Sequence, residues 1–370
     1  MNISFLLETP TAFLSGIWWH RIEQPMRSLS KRGHAVAQTV IAKKLSEEEL
    51  NFPDVVIFGR TYPPAYNPLG LMKEFKRRGK RVLYDMDDDF WQVAKDNPSV
   101  LVSNAFKDQY ESMIKEADAV ITPSRVLAKK FKKLVRGKPV YICPNGIDYT
   151  EYRERPHKRE KLVIGYMGAS SHWKDLHLVV EVLEELHKKH DFYFDIQGMC
   201  SGILESEMRI YERFLQGQFE PERNEFFKAA LKFYDGLKTL RGGHTPFVIP
   251  ELHATILAGL DFDIGLAPLE DTTFNRGKSC IKFYEYASTG TVTLSSDVLP
   301  YKDEVNYMAK NTKKDWMKKL EKLIVDEKFR KELLAKQQKW VRDNRSLEAI
   351  GVMWEVACQK EGGLKVLNQK

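Results

Sequence analysis

Two lysines and a glutamate stand at positions 278, 282 and 285 in the stretch KSCIKFYEYASTG. On a helix these are i, i+4 and i+7 and share one face, whereas Cys280, Phe283, Tyr284 and Ala287 turn to the other. One chemistry for that face is a solvated Lys282–Glu285 pair, worth about 0.2–0.5 kcal/mol. The other is an anion site. There, Ser279 or Asn275 caps the helix, its first amides and its dipole favour a diphosphate, and Lys278 adds a full positive charge. Glu285, further along the same face, would then accept hydrogen bonds from ribose hydroxyls.

Three more stretches carry reactive groups. In GYMGASSHWKDL, residues 165–176, a strand leads through Gly168 into a helix near Trp173. Backbone of that kind approaches phosphate closely, and His172 and Lys174 stand at its mouth. Capping by Ser171 is the structural alternative. In YDMDDDFW, Asp85, Asp87, Asp88 and Asp89 follow a strand. Carboxylates there suit an acceptor hydroxyl, a general base or Mg²⁺, or else cap the next helix and pair with lysines. In TPTAFLSGIWWHRIEQP, Gly16 permits an unusual turn, and His20 and Arg21 open the helix that follows, placed to reach a cleft or to lie on the surface. No Ser-His-Asp or Cys-His order stands out.

Groups like these need strand ends to hold them, and the chain supplies strands. The apolar runs ISFLLE, DVVIFG, RVLYDM, AVITPS and PVYICP alternate with helical patterns, which predicts a parallel sheet covered on both faces. The charged segment YTEYRERPHKREK interrupts the pattern as a linker. It restarts with LVIGYM, FYFDIQG, DIGLAPL and TVTLSS, with helices over 174–190, 251–259 and 279–289. The fold class is therefore α/β, two Rossmann-like doubly wound domains facing across a cleft, where ligands meet the strand C-termini. The expected boundaries are 1–155, 160–345 and a C-terminal helix and tail over 346–370. A charged insertion separates Cys200 from Thr245, with packing on its own domain as the default, and Trp316, Leu320, Trp340 and Trp354 anchor the helical tail.

Composition narrows the class. The 370 residues are 43% hydrophobic and 29% charged, enough to bury two cores without disordered tracts. The start of the chain has no basic segment and long apolar core of a secretory leader, and no apolar run reaches the roughly 18–20 residues of a membrane span. The four cysteines, at 143, 200, 280 and 358, have neither disulfide-framework nor zinc spacing. A cytoplasmic location follows, free or at the periphery of a membrane. The net charge is +7, of which +6 lies in residues 1–150, with 23 Lys and Arg against 17 Asp and Glu. KRRGK and KKFKKLVRGK are either solvated helix ends or attractors of an anionic polymer or surface.

The motifs together resemble a known family. ADAVITPS, PNGID, IGYMG followed by Lys174, and DIGLAPLEDTTFNRGKSCIKFYEYASTG with SSDVLPY after it are similar, in this order, to the group 1 glycosyltransferases of the GT-B fold. The resemblance spans nearly the whole chain. It implies a C-terminal domain that binds a nucleoside-diphosphate sugar, with UDP, GDP and dTDP all open, an N-terminal acceptor domain, a last helix crossing back, retention of configuration, and no essential metal. Lys174, six residues after Gly168, corresponds to the family's diphosphate lysine, and Glu285 to the glutamate that holds the ribose. A subgroup with HxxDL and FNxxKSxxK brings in His172, Lys278 and Lys282. Three positions depart from the pattern. The usual arginine after the glycine is Ala169, the first glutamate of E-x7-E is Gly277, and the first-loop glycine pair is reduced to Gly16. The donor sugar would then be held by Glu270, Asp271 or Asn275. The acceptor is a glycan, lipid-linked or nucleic-acid hydroxyl. Two other readings are a phage-type glycosyltransferase acting on DNA base hydroxyls and a non-catalytic sugar-nucleotide-binding protein.

Overall fold

A computed structural model of the chain describes residues 1–7, 16–60, 62, 64–94, 100–135, 137–154, 159–169, 172–198, 221–237, 240–246 and 248–359. The first lobe is built on β1 (Asn2–Leu7), β2 (Ala35–Val40), β3 (Val55–Gly59), β4 (Arg81–Asp85), β5 (Ala119–Thr122) and β6 (Val140–Ile142). These form one sheet in the order β2-β1-β3-β4-β5-β6, with every pairing parallel. β4 and β5 are buried at every position, as strands covered by helices on both faces must be.

The second lobe holds β7 (Leu162–Gly168), β8 (Phe192–Gly198), β9 (Arg241–Pro246), β10 (Ile264–Ala267), β11 (Val292–Ser296) and β12 (Met308–Ala309). Its order, β12-β11-β10-β7-β8-β9, reverses direction between β7 and β10, and the first lobe reverses between β1 and β3. Such switch points open a crevice beyond the strand C-termini. Gly165 lets β7 lie against Phe262, because a Cβ there would fall inside the ring.

Three edge strands escape the sequence pattern, among them the two-residue β12. β2 is half-exposed, and β9 reads RGGHTP, which has little strand propensity. Gly242 and Gly243 leave room there for the Asp195 carboxylate, which a Cβ on either would meet at 2.9–3.0 Å. The expected helix over 174–190 is broken into Trp173–His177 and Val180–His187, where Leu178 and Val179 N–H bond three residues back and tighten the chain. Part of the insertion, residues 199–220, lies outside the described residues. Its remaining helix, Pro221–Gly236, sends Ala230 and Tyr234 into the core of its own lobe.

The chain crosses back between Glu327–Arg345 and Leu347–Cys358. Gln337, fully buried, bonds both the N–H and the carbonyl of Thr293 and fixes the first of these helices to β11. Ser346, extended at φ −64° and ψ 160°, turns the chain and caps the second by accepting from Ala349 N–H. Trp354 then packs beneath the first sheet, 6.0 Å from Phe5. Trp316, Leu320 and Trp354 are fully buried, while Trp340 is half-buried beside Phe283. No helix among the described residues is long and apolar enough to cross a membrane.

Candidate active site

A cavity of about 400 Å³ opens between the lobes. The first lobe lines it with Gly16, His20, Arg21, Asp87 and Asp88. The second contributes Gly168, His172, Lys278, Ser279, Lys282 and Glu285. Lys174, Asn275 and Glu270 do not line it. Gly168 and Gly198 end the paired strands β7 and β8, and Gly198, at φ +101°, sits so close that a Cβ would meet the Gly168 carbonyl at 2.5 Å. This part of the cavity wall is bare backbone.

The helix carrying Glu285 is Ile281–Ser288, shorter than expected, with Cys280 at its N-cap and no side-chain cap bond. Neither anticipated cap acts there. Asn275 belongs to a separate turn, Thr273–Arg276, capped by Thr272. Ser279 instead accepts from Asn145 Nδ2 of the first lobe at 2.9 Å. The amides of the 281–288 helix start are thus free of a capping side chain, because Ser279 is drawn across the cleft.

Lys278 and Lys282 are half-buried, and neither forms an ion pair with a carboxylate among the described residues. Lys278 Nζ lies 4.9 Å from the Phe274 ring and Lys282 Nζ 5.8 Å from that of Tyr166. Burial, reinforced by Lys278, brings the Lys282 ammonium down to about 8, although Asp175 and Glu285 pull the other way. Burial, followed by the two lysine charges, lowers His172 to about 4 against its hydrogen bond to Asp175. Mutual repulsion of this sort marks a place for an anion. The Lys174 ammonium lies 5.7 Å from the ring of its own neighbour Trp173. Among the described residues, the lysines that line the cavity are Lys278 and Lys282.

Glu285 is not half of a surface pair with Lys282. It is 3% exposed, and its Oε1 meets Tyr152 Oη at 2.6 Å, His253 Nε2 at 3.2 Å and His20 Nε2 at 3.5 Å. Burial alone would raise its carboxyl, but the two histidines hold it well below the usual carboxylate range. His253 moves the opposite way: burial is outweighed by the Glu285 charge and its pKa rises. His20 arrives from the first lobe on a widened turn, Trp19–Glu23, placed between the helical segments Gly16–Trp18 and Gln24–Lys31. Pro25 accounts for the widening. It has no N–H for the Arg21 carbonyl and would clash with it, so Gln24 N–H reaches back to Trp19 O instead.

Arg21 is an interior joint. Its guanidinium grips Asp85 through two bonds of 2.5 and 2.9 Å and donates to Cys143 O and to Asn145 Oδ1. It also lies 4.9 Å from the Trp354 ring of the crossing helix. The other aspartates of YDMDDDFW likewise have cations: Arg60 faces Asp87 and Asp88, and Lys130 bonds Asp89. No group of three or more potential metal ligands occurs among the described residues. Burial and the neighbouring Asp87 charge raise Asp88 above its ordinary value, with Lys278 and Arg60 opposing.

Sequence reasoning left out Asp175, His253, Tyr152 and Asn145. Asp175 is three residues after His172 in HWKDL, and Asn145 lies in PNGID, so both stood in marked motifs. His253 and Tyr152 come from a helix and a linker with no local signal. Asn275 and Glu270 meet at Asp175: its Oδ1 accepts from Glu270 N–H at 2.8 Å, and Asn275 Nδ2 bonds Glu270 O at 3.0 Å. Asp271 is held on the surface by Arg276. Ser171 and residues 8–15 lie outside the described residues.

Gly277 lies where the second lobe meets the first. A Cβ there would lie 3.1 Å from Leu127 of the first lobe, and Ser124 Oγ donates to the Gly277 carbonyl at 2.8 Å. The lobes touch at this glycine.

No family model matches the sequence, and no curated protein matches it. Solved structures do resemble the fold. An alpha-glucosyltransferase in complex with UDP and a 13-mer DNA containing a HMU base aligns with a TM-score of 0.65 at 14% identity, over 97% of this chain and 99% of its own. Sucrose-phosphate synthase from Thermosynechococcus elongatus aligns with a TM-score of 0.64 at 11% identity, over 96% and 98%. HepE from Anabaena, in complex with UDP and glucose, gives 0.58 at 13%, also over 96% and 98%. The chain has the GT-B fold, two doubly wound lobes with a helix crossing back.

Proposed function

We propose that this protein is a glycosyltransferase that moves a sugar from a nucleoside diphosphate to an acceptor hydroxyl. One observation carries the reading: Lys278, Lys282 and His172 converge on one interlobe cavity, where neither lysine pairs with a carboxylate among the described residues and Glu285 is held by Tyr152 and two histidines. A diphosphate supplies the missing negative charge. It would lie between the lysines and the uncapped start of the 281–288 helix, with the bare backbone at Gly168 and Gly198 allowing close approach. Glu285, ionised and holding its other partners on Oε1, offers Oε2 to ribose hydroxyls. On the first lobe Asp88, with its raised pKa, faces the cavity as the group to orient or deprotonate the acceptor hydroxyl, and His20 and Asp87 stand near it.

The neighbours that hold UDP, and the one that holds UDP with glucose, support a UDP-sugar donor. With lysines balancing the leaving group, activity should persist in EDTA. Retention of configuration, as the resemblance implies, is read from the product by proton NMR. On this reading the protein works in the cytoplasm, free or at a membrane surface. Lys278→Ala should lower kcat about 10²–10³-fold with UDP-sugar while leaving the circular dichroism spectrum unchanged. Wild-type turnover in that variant would remove the reading.

A nucleic-acid acceptor is the second reading, motivated by the basic first lobe. Much of that charge is spent internally: Lys76 meets Glu116, Arg78 meets Glu47 and Glu74, and Lys138 bonds the Ala117 carbonyl. Lys129, Lys132 and Lys133 remain exposed on the helix Arg125–Leu134. DNA binding that weakens steeply with salt would favour this acceptor, and absence of a shift at low salt would dismiss it. Binding of donor without turnover on any acceptor would instead favour a sugar-nucleotide sensor.

A further inference from the structure

We propose that Asp175 is a positioning residue that holds His172 in the tautomer able to take up a proton when a sugar nucleotide enters, so that Nε2–H becomes a third cationic donor to the diphosphate beside Lys278 and Lys282. The inference rests on the donor-site reading above and extends it to a residue outside the cavity lining.

The geometry restricts the imidazole to one orientation. His172 Nδ1 lies 2.7 Å from Asp175 Oδ2. Asp175 is 4% exposed, and its second oxygen is fixed by Glu270 N–H at 2.8 Å and by Asn275 Nδ2 at 3.5 Å. It has no room to swing away. The His172 backbone is held as well, since its carbonyl receives Tyr166 Oη at 3.4 Å. An ionised carboxylate has only lone pairs to offer, so the proton of a neutral ring must sit on Nδ1. Nε2 is then a bare acceptor on a ring that lines the cavity.

A bare acceptor beside two ammonium groups has the wrong polarity for a diphosphate until it gains a proton. The groups that set its charge are all in place. Asp175 acts from its own turn, and Tyr166 from β7. Lys278, Lys282, Glu285, His253 and Tyr301 share its cavity wall on the second lobe. Arg21, Asp87, Asp88 and His20 line the same cavity from the first lobe. Burial and the two lysine charges bring the ring down to about 4, which keeps it neutral when no anion is bound. An anion placed among the lysines reverses the sign of that field and favours the imidazolium. The hydrogen bond it then makes is charge-assisted on the donor side, as are those of the lysines. Asp175 does not touch the ligand. It keeps the imidazolium paired on its far side, as carboxylates do for histidines elsewhere.

Titration calorimetry tests this with UDP-glucose, GDP-mannose and dTDP-glucose, whose diesterified phosphates do not titrate near pH 6. The tightest of the three is studied at pH 6.0 in two buffers of different ionisation enthalpy, without acceptor. The wild type should take up about 0.5–1 proton more than His172→Gln, which keeps a polar side chain but cannot ionise. Asp175→Asn should lose the same uptake and bind more weakly, and Asp175→Glu should recover part of it. The wild-type affinity should rise as pH falls from 7.5 to 5.5, and that of His172→Gln should stay nearly flat over this range. Equal uptake in wild type and His172→Gln overturns the proposal even if Asp175→Asn does not fold. Full uptake in a folded Asp175→Asn overturns the role of Asp175. Failure of all three sugar nucleotides to bind the wild type removes the donor-site reading itself.

Discussion

At the level of single residues, the motif KSCIKFYEYASTG announced its cations and concealed their partners. The spacing of Lys278, Lys282 and Glu285 is local and visible in the sequence. What separates an anion site from a surface ion pair is where the carboxylate points, and here Glu285 turns to Tyr152, His253 and His20, residues 133, 32 and 265 positions away. The same holds for Asp85, Asp87, Asp88 and Asp89, whose arginine and lysine partners come from other segments. The depressed Lys282 gives a pH prediction with a definite sign. Its ammonium is present below about 8 and lost above it, so sugar-nucleotide affinity should fall as pH rises from 7 to 9.5. Lys282→Met should bind weakly at pH 7 and lack that step. A wild-type affinity that is level across this range would show that Lys282 does not meet the ligand.

The elements follow from more than hydrophobic period. The helix Gln24–Lys31 and the turn before it show a proline changing register: Pro25 forces the wide turn that brings both His20 and Arg21 inward. Pro25 is plain in IEQP, but the direction in which the two side chains emerge depends on the bond it displaces. The crossing helix Leu347–Cys358 packs on Gln24–Lys31 through Gly351, where a Cβ would run into Ser28 Oγ and lie 2.9 Å from Arg32 Cδ. Ser28 in turn donates to Leu347 O at 2.5 Å. Gly351→Leu should therefore push the crossing helix off the first lobe, at a cost of about 1–3 kcal/mol from overpacking. Differential scanning calorimetry would show this as a lower first transition. An unchanged melting profile would mean that the two helices have room to spare.

For the molecule as a whole, the cleft is fixed by a few contacts between lobes: Ser124 with Gly277, Asn145 with Ser279, and His20 with Glu285. Gly277 is the tightest of them. Gly277→Glu, which places a carboxylate at this position, should wedge Leu127 and Ser124 away from the second lobe. The expected result is a larger radius of gyration by small-angle scattering together with lower turnover. Higher turnover at an unchanged radius would mean that the absence of a carboxylate at position 277, and not the fit of the lobes, limits turnover.

The alternation of strands and helices, the GT-B resemblance and the cations of the candidate site were all present in the sequence, because each depends on residues close together along the chain. The edge strands β2 and β9, the start of the 281–288 helix at Cys280, the engagement of the aspartates and the placing of Asp175, His253 and Tyr152 were decided by tertiary structure. The reason is physical. Backbone periodicity is set within a few residues, whereas a buried charge takes whichever partner the packed lobes bring within hydrogen-bond reach, and that partner can lie hundreds of residues away.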